Sequence, residues 1–129
     1  MGQPEINAGI PSIMGSFWMS LHIGLTRNQE LSFTGRLMDA GECQSIGLLN
    51  HLVETLQLIP KALEVAAELA AKPPTAFLRT KQRFREVTQD AFDDAFRSAV
   101  EGQQECYANG EPQEVMARFI AERSSKKKE

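Results

Sequence analysis

The chain is built from short stretches in which large apolar residues recur every three or four positions, separated by breaks rich in glycine or proline. This spacing places apolar side chains on one face of an α-helix. The clearest example runs from Leu58 to Lys72, and we predict an amphipathic helix there. Its charged side chains lie largely off the apolar face, which carries Leu58, Ala62, Val65 and Leu69.

Residues that favour helix ends divide the remaining periodic stretches. Pro11 and Ser12 suit the start of a helix over Ile13–Ile23, whose many large apolar residues predict that it is mostly buried and ends near Gly24. Pro73 and Pro74 end one helix and begin the next. The other predicted helices run from a Thr26 cap to Gly35, from an Asp39 cap through Ile46, from Pro74 to about Val87, from a Thr88 cap over Gln89–Ala108, and from Pro112 onward.

Extended structure is predicted in three short places. Residues 2–9 suit a short extended piece and a turn, Arg36–Met38 an extended link, and Leu48–Glu54 a short strand. No alternating strand and helix series is present. The chain is therefore expected to be mainly α, with one or two short strands, and to fray in a charged, flexible tail over Ser124–Glu129.

Composition narrows the function classes. The formal net charge is −3, so no basic field is expected to attract nucleic acid. No apolar run approaches the roughly 20 residues of a membrane span, and the chain does not start like a signal peptide, so no membrane partner is expected. Cys43 and Cys106 lack metal-ligand neighbours, and His22 and His51 stand alone, which favours a reduced, cytoplasmic protein without a metal site.

The order of short motifs resembles the enoyl-CoA hydratase/isomerase family, which has the crotonase fold. The match extends over nearly the whole chain, and residues 1–123 are expected to form a partial domain of this kind. It is carried by GQPE, GIP, LSFTGRLMDAGECQSIGLLNHLV, KPPTAFLRTK and ARFIAER, in that order. The resemblance implies that these residues form the carboxyl-terminal helical part of a crotonase-like α/β fold.

Glu5 matches a catalytic glutamate of the family. The resemblance implies that its carboxylate moves a proton beside the thioester of an acyl-CoA, which is a substrate, so no cofactor is expected. A thioester enolate also requires backbone N–H donors that stabilise the oxygen charge, and the family places these donors in the preceding half of the chain. A solvent-facing terminal carboxylate is the alternative interpretation of Glu5.

Four further residues have expected roles in substrate binding. Gly9 and Pro11 match the turn that follows the glutamate, and Trp18 suits the lining of an acyl pocket. Phe119 matches an aromatic residue that lies near the CoA adenine of a neighbouring subunit in family trimers. Ordinary packing remains an alternative for Trp18 and for Phe119.

Two functions are consistent with these features. The first is a truncated, crotonase-like helical module that is inactive alone and associates with itself or with a partner, as a homo-oligomer in the expected case. The second is an acyl-CoA hydratase or isomerase that uses Glu5 once an amino-terminal half completes it. A remnant without a present function is a third interpretation.

Overall fold

The computed structural model describes residues 1–126, and most of them are helical. A 3₁₀ turn over Pro4–Ala8 precedes the first α-helix, and a second over Thr55–Gln57 precedes the fourth. In chain order the α-helices are α1 (Ile13–Ile23), α2 (Leu25–Thr34), α3 (Ala40–Ser45), α4 (Leu58–Ala70), α5 (Pro74–Glu86), α6 (Gln89–Asn109) and α7 (Glu111–Lys126). The prediction of a mainly α fold is confirmed.

A small core lies between the first three helices. Its four buried hydrophobic side chains come from the end of α1, from α2, from the link after it and from α3. They are Ile23, Leu31, Met38 and Cys43. The helix-spaced apolar residues of this region therefore meet partners within the chain.

The amino terminus pairs with the link between α2 and α3. The Met38 amide donates to the Met1 carbonyl at 2.6 Å, and the Met1 ammonium donates to the Met38 carbonyl at 2.7 Å. An isolated antiparallel bridge joins Gly2 to Leu37. The predicted extended link over Arg36–Met38 is thus present, whereas the extended piece predicted over residues 2–9 gives way to a 3₁₀ turn from Pro4 onward.

Helix α6 lies across α1, and α7 follows α6. Phe17 and Trp18 of α1 meet Phe92 of α6, with ring centroids 6.1 and 5.9 Å away from that of Phe92. The α-carbon of Gly102 comes so close to α1 that an added Cβ would lie 3.1 Å from Ile13 and 3.3 Å from Pro11. Aromatic packing at one end and the small residue at the other let the two helices approach.

Three local predictions were wrong. Leu48–Glu54 forms turns and irregular structure instead of a strand, because a strand needs a neighbour and none lies beside it in the described residues. Thr26 does not cap α2, which begins at Leu25 with Gly24 in the N-cap position, two residues before the predicted cap. Helix α1 is mostly half-buried, with only Ile23 fully buried, because part of its apolar surface has no partner here.

Helices α4 and α5 stand apart from this packed part. Helix α4 packs mainly on the 3₁₀ turn before it, and α5 contacts α6. No side chain of either helix is buried. The amphipathic pattern of α4 is confirmed as a helix, but its apolar face is exposed, with Leu63 at 65% of its full accessibility.

The end of the chain is helical as far as it is described. Helix α7 continues through Ser124 and Ser125, and the Ser124 hydroxyl donates to the Ile120 carbonyl. The rest of the predicted tail, residues 127–129, lies outside the described residues, so its flexibility stays a prediction. Across residues 1–126, no helix has the length and hydropathy needed to cross a bilayer.

Candidate functional site

The predicted catalytic glutamate lies in the 3₁₀ turn at the amino terminus. Glu5 is half-buried, and one carboxylate oxygen, Oε2, is buried without a hydrogen-bond partner among the described residues. The turn closes through two backbone bonds of 3.2 Å, from the Gly9 amide to the Ile6 carbonyl and from the Ile10 amide to the Glu5 carbonyl. A buried carboxylate oxygen without a donor is costly, so Oε2 can accept a hydrogen bond from a donor that the described residues do not supply.

A buried polar network fixes the segment that carries Glu5. Gln3 and Asn28 are each only 2% exposed. The Gln3 side chain donates from Nε2 to Asn28 Oδ1, and the Ser12 hydroxyl donates to Gln3 Oε1 at 2.5 Å. Asn28 also donates to the Ser20 hydroxyl at 2.6 Å. Because these bonds join three segments, the network ties the start of the chain to α1 and α2.

Serine hydroxyls complete this network. Ser16 Oγ lies 3.0 Å from Ser32 Oγ, and Ser32 in turn donates to Asn28 Oδ1 at 3.3 Å. Ser16 also accepts the other Asn28 amide proton at its carbonyl, at 2.5 Å. Two facing rows of polar residues therefore run along α1 and α2, and the row in α1 lies within a largely apolar helix.

The network was not predicted, although a signal for it exists in the sequence. Ser12, Ser16 and Ser20 recur every four residues through the apolar α1 stretch, and Asn28 and Ser32 are four apart in α2. Polar residues at this spacing share one helix face. Two such faces in consecutive helices indicate a buried hydrogen-bonded interface, provided the helices are antiparallel neighbours.

Gly9 connects the glutamate turn to the last helix. Its φ is 71°, in the left-handed region that favours glycine. A Cβ at this position would lie 2.9 Å from the backbone carbon of Glu111 and 3.0 Å from its oxygen. The predicted turn residue is therefore required by backbone geometry and by the close approach of α7, and a direct contact with substrate is not needed to explain it.

Pro11 lines the cavity that lies beside the glutamate turn. This cavity has a volume of about 250 Å³ and is bordered by α1, α2 and Ile6, the residue after Glu5. Its lining consists of Ile6, Pro11, Ser12, Ile13, Ser16, Ser32 and Phe33. Of the five predicted site residues only Pro11 contributes to it, and the apolar side chains with a few hydroxyls suit a small apolar group.

Trp18 and Phe119 lie in separate surroundings. Trp18 packs with Phe17 at a centroid distance of 5.0 Å and remains 45% exposed. Phe119 is 50% exposed on α7, and the Arg123 guanidinium lies 5.6 Å from its ring centroid. The structure places Glu5 and Gly9 in one turn, with Pro11 two residues beyond it. The expected roles of Trp18 and Phe119 in binding stay predictions.

A second polar cluster clamps α2 to α3. Arg36 donates to both carboxylate oxygens of Glu42, at 2.9 and 2.7 Å, and to both of Glu30, at 2.8 and 3.0 Å. These bonds to the guanidinium hold the pKa of Glu42 and of Glu30 below the ordinary glutamate range and raise that of Arg36. The cluster is exposed. Its bonds give a structural role to Arg36, the last residue of the Thr34-Gly35-Arg36 part of the LSFTGR motif.

Metal binding has no support in residues 1–126. No three His, Cys, Asp or Glu side chains come close enough there to hold an ion. The Asp39 carboxylate serves instead as the N-cap of α3, as predicted, and accepts the Glu42 amide proton at 2.7 Å.

Comparison with known proteins gives a consistent result. The family model described as enoyl-CoA hydratase/isomerase matches residues 1–128. A short-chain-enoyl-CoA hydratase of Clostridium acetobutylicum is 32% identical over 123 residues, which are 95% of this chain and 47% of that protein. A crotonyl-CoA hydratase of Syntrophomonas wolfei is 27% identical over 125 residues, 96% of this chain and 48% of its own length. The chain spans about half the length of these curated relatives.

Proposed function

This chain belongs to the enoyl-CoA hydratase/isomerase family, and from that premise we propose that these 129 residues act by themselves as a self-associating or partner-binding helical module without turnover. The family carries out its chemistry with a carboxylate and with oxyanion donors together. Loss of one such donor typically costs about 3–4 kcal/mol of transition-state stabilisation. A Glu5 carboxylate acting without these donors should therefore give no measurable hydration.

The observation that carries the proposal is the imbalance between buried and exposed apolar side chains. Within residues 1–126, four hydrophobic side chains are buried and twenty-three large ones are exposed. Many of the exposed ones lie on α4, α5 and α6. Large exposed apolar faces are typical of interaction surfaces. Association with another surface would remove them from water.

A second function is favoured by the buried, unpartnered oxygen of Glu5. In this alternative the segment supplies the proton-transferring carboxylate of an acyl-CoA hydratase or isomerase. An amino-terminal half, on the same or another polypeptide, supplies the N–H donors. Glu5 would take up or release the proton at the carbons beside the thioester, while the donors stabilise the developing oxygen charge.

Crotonyl-CoA hydration tests both proposals in one assay. The purified chain alone is expected to show no rate above buffer. Addition or co-expression of the amino-terminal half of the C. acetobutylicum relative should create activity that Glu5→Gln abolishes and Glu122→Gln, an exposed carboxylate on α7, leaves unchanged. Turnover by the chain alone would contradict the first proposal. Reconstituted activity that survives Glu5→Gln would contradict the second.

A further inference from the structure

A groove separate from the glutamate turn lies between α4 and the irregular segment that precedes it. Its volume is about 390 Å³, within the roughly 300–1,000 Å³ that is typical of small-molecule sites. The groove shares no lining residue with the cavity beside Glu5, which is smaller at about 250 Å³. It is therefore a second candidate site, and the proposed function does not use it.

The floor of the groove is apolar. Val53 contributes to it from the irregular segment, and Leu58, Ala62 and Val65 contribute from α4. The three α4 residues are four and three positions apart, so they share one face of the helix. Such a floor favours a ligand with an apolar body, because that body leaves water when it binds.

The rim of the groove is polar and carries positive charge. It consists of Asn50, His51 and Lys61, and no acidic residue of the described part of the chain lines the groove. Lys61 is half-buried, with 31% of its side chain accessible, whereas the side chain of Lys72 beyond the end of α4 is 50% accessible. A lysine whose stem lies along apolar surface keeps its ammonium at the edge of that surface. The charge of Lys61 is thus placed at the mouth of an apolar groove.

Glu64 holds the Lys61 ammonium at the rim without using all of its donors. Lys61 Nζ donates to Glu64 Oε1 at 2.6 Å. This bond keeps the pKa of Glu64 below the ordinary glutamate range, and positive charge on His51 contributes less to the same effect. An ammonium has three N–H donors, so two stay available for a ligand. The neighbouring Glu64 charge also limits that ligand, because it repels a dianion more strongly than a monoanion.

We propose that this groove binds a small apolar monocarboxylate. The hydrocarbon body lies on the α4 floor, and the carboxylate accepts hydrogen bonds from the Lys61 ammonium and the Asn50 side-chain amide. Bonds between an ammonium and a carboxylate are stronger than those between neutral groups, so a neutral ligand of the same shape gains mainly the floor contacts. The inference goes beyond the proposed function, since it uses neither Glu5 nor a second chain.

Binding of hexanoate to the purified chain tests the assignment. In a heteronuclear NMR titration, hexanoate should shift the Asn50 side-chain amide and the backbone amides of Ala62 and Val65. The dissociation constant should be on the order of 1 mM, which is ordinary for so small a ligand. Hexanamide has the same chain length and no charge, and it should bind about tenfold more weakly because it loses the charge-assisted bonds.

Two variants change the rim and the floor separately. Lys61→Gln removes the ammonium and should weaken hexanoate binding about tenfold, while hexanamide binding should stay within about twofold. Ala62→Phe fills the groove without removing a charge and should abolish the binding of both ligands. Unchanged helical circular dichroism shows that each variant folds.

Lys72→Gln is the matched control for the rim. It removes the same charge from a lysine that also pairs with a glutamate, Glu68 at 3.1 Å, and that does not line the groove. Because distant charges are screened at ordinary salt concentration, hexanoate affinity should change by less than about twofold.

Each outcome decides the matter. Saturable shifts confined to the groove, with hexanamide weaker and Lys61→Gln impaired, would support the site and its ligand class. Equal affinity for hexanoate and hexanamide, equal losses in Lys61→Gln and Lys72→Gln, or tighter binding of the dianion butyl phosphate would overturn the monocarboxylate. No saturable shift at about 10 mM hexanoate, or binding that survives Ala62→Phe, would overturn the site itself.

Discussion

Two regions of the chain share one sequence pattern and differ in what covers it. The packed region, residues 1–49, and the arm, formed by α4 and α5, both carry apolar residues at helical spacing. Leu31 in the packed region is 1% exposed, whereas Leu63 in the arm is 65% exposed. Periodicity therefore specifies which face of a helix is apolar, while contacts from other segments decide whether that face is buried.

Polar side chains show the same contrast. In the packed region, Gln3 and Asn28 are buried and bond across segments far apart in sequence. In the arm, the polar contacts run along a single helix, as between Lys61 and Glu64, three residues apart at 2.6 Å. Contacts of the first kind define a tertiary structure, and those of the second kind only support a helix.

The largest expected effect comes from truncating equivalent leucines in the two regions. Leu31→Ala should lower the free energy of unfolding by about 2–5 kcal/mol, because it leaves a cavity in a small core. Leu63→Ala in monomeric protein should change it by no more than about 0.5 kcal/mol. Urea denaturation at low protein concentration checks both, and equal losses would remove the distinction between the regions.

A smaller effect is expected from the buried amide network. Asn28→Ala deprives the Gln3 amide and the Ser20 hydroxyl of partners in a buried place and should cost about 1–3 kcal/mol of unfolding free energy. Gln82→Ala removes an exposed bond to Glu86 in the arm and should be nearly neutral. Thermal unfolding of both variants measures the difference, and a neutral Asn28→Ala would contradict the proposed role of the network.

The smallest expected effect concerns the Arg36 clamp and depends on pH. The pKa values of Glu30 and Glu42 are lower in the folded protein than in the unfolded chain. Their contribution to stability is therefore present above the unfolded glutamate value of about 4.3 and is lost as the pH falls through the folded values. The melting temperature of Arg36→Gln should lie slightly below that of the wild type at pH 7.

The clamp also has a counterpart in the arm. Lys61→Gln removes one ion pair within α4, whereas Arg36 joins α2 to α3 through two carboxylates, so the arm variant should have the weaker effect. Thermal melts between pH 3 and pH 7 test the direction in which the stability contribution of the Arg36 clamp changes with pH. A difference in melting temperature between Arg36→Gln and the wild type that widens as the pH falls would contradict the proposed role of the Arg36 clamp.

Local signals in the sequence were sufficient for most helix boundaries. The bounds of α1 were predicted without error, and Asp39 caps α3 as expected, because each depends on residues within one turn. The strand at Leu48–Glu54 and the burial of α1 were predicted wrongly, since both depend on a neighbouring segment. The chain spans about half the length of its curated relatives, so such neighbours are incomplete among these residues.

The candidate site was predictable to a similar extent. Motif order identified Glu5 and Gly9, which share one turn in the structure, and Pro11, which follows that turn. The network of Gln3 and Asn28 that holds this turn was missed, because its contacts join residues 25 positions apart. Trp18 packs with Phe17 and Phe92, and Phe119 lies beside Arg123, so these contacts do not connect either residue to Glu5.

Hydrogen exchange measured over a range of protein concentrations tests the central claim, that the arm lacks a cover within the chain. Amides of α2 should have the same protection at every concentration. Those of α4 and α5 should exchange quickly in dilute protein and slow as association covers them. Arm amides as protected as those of α2 in fully monomeric protein would contradict the account.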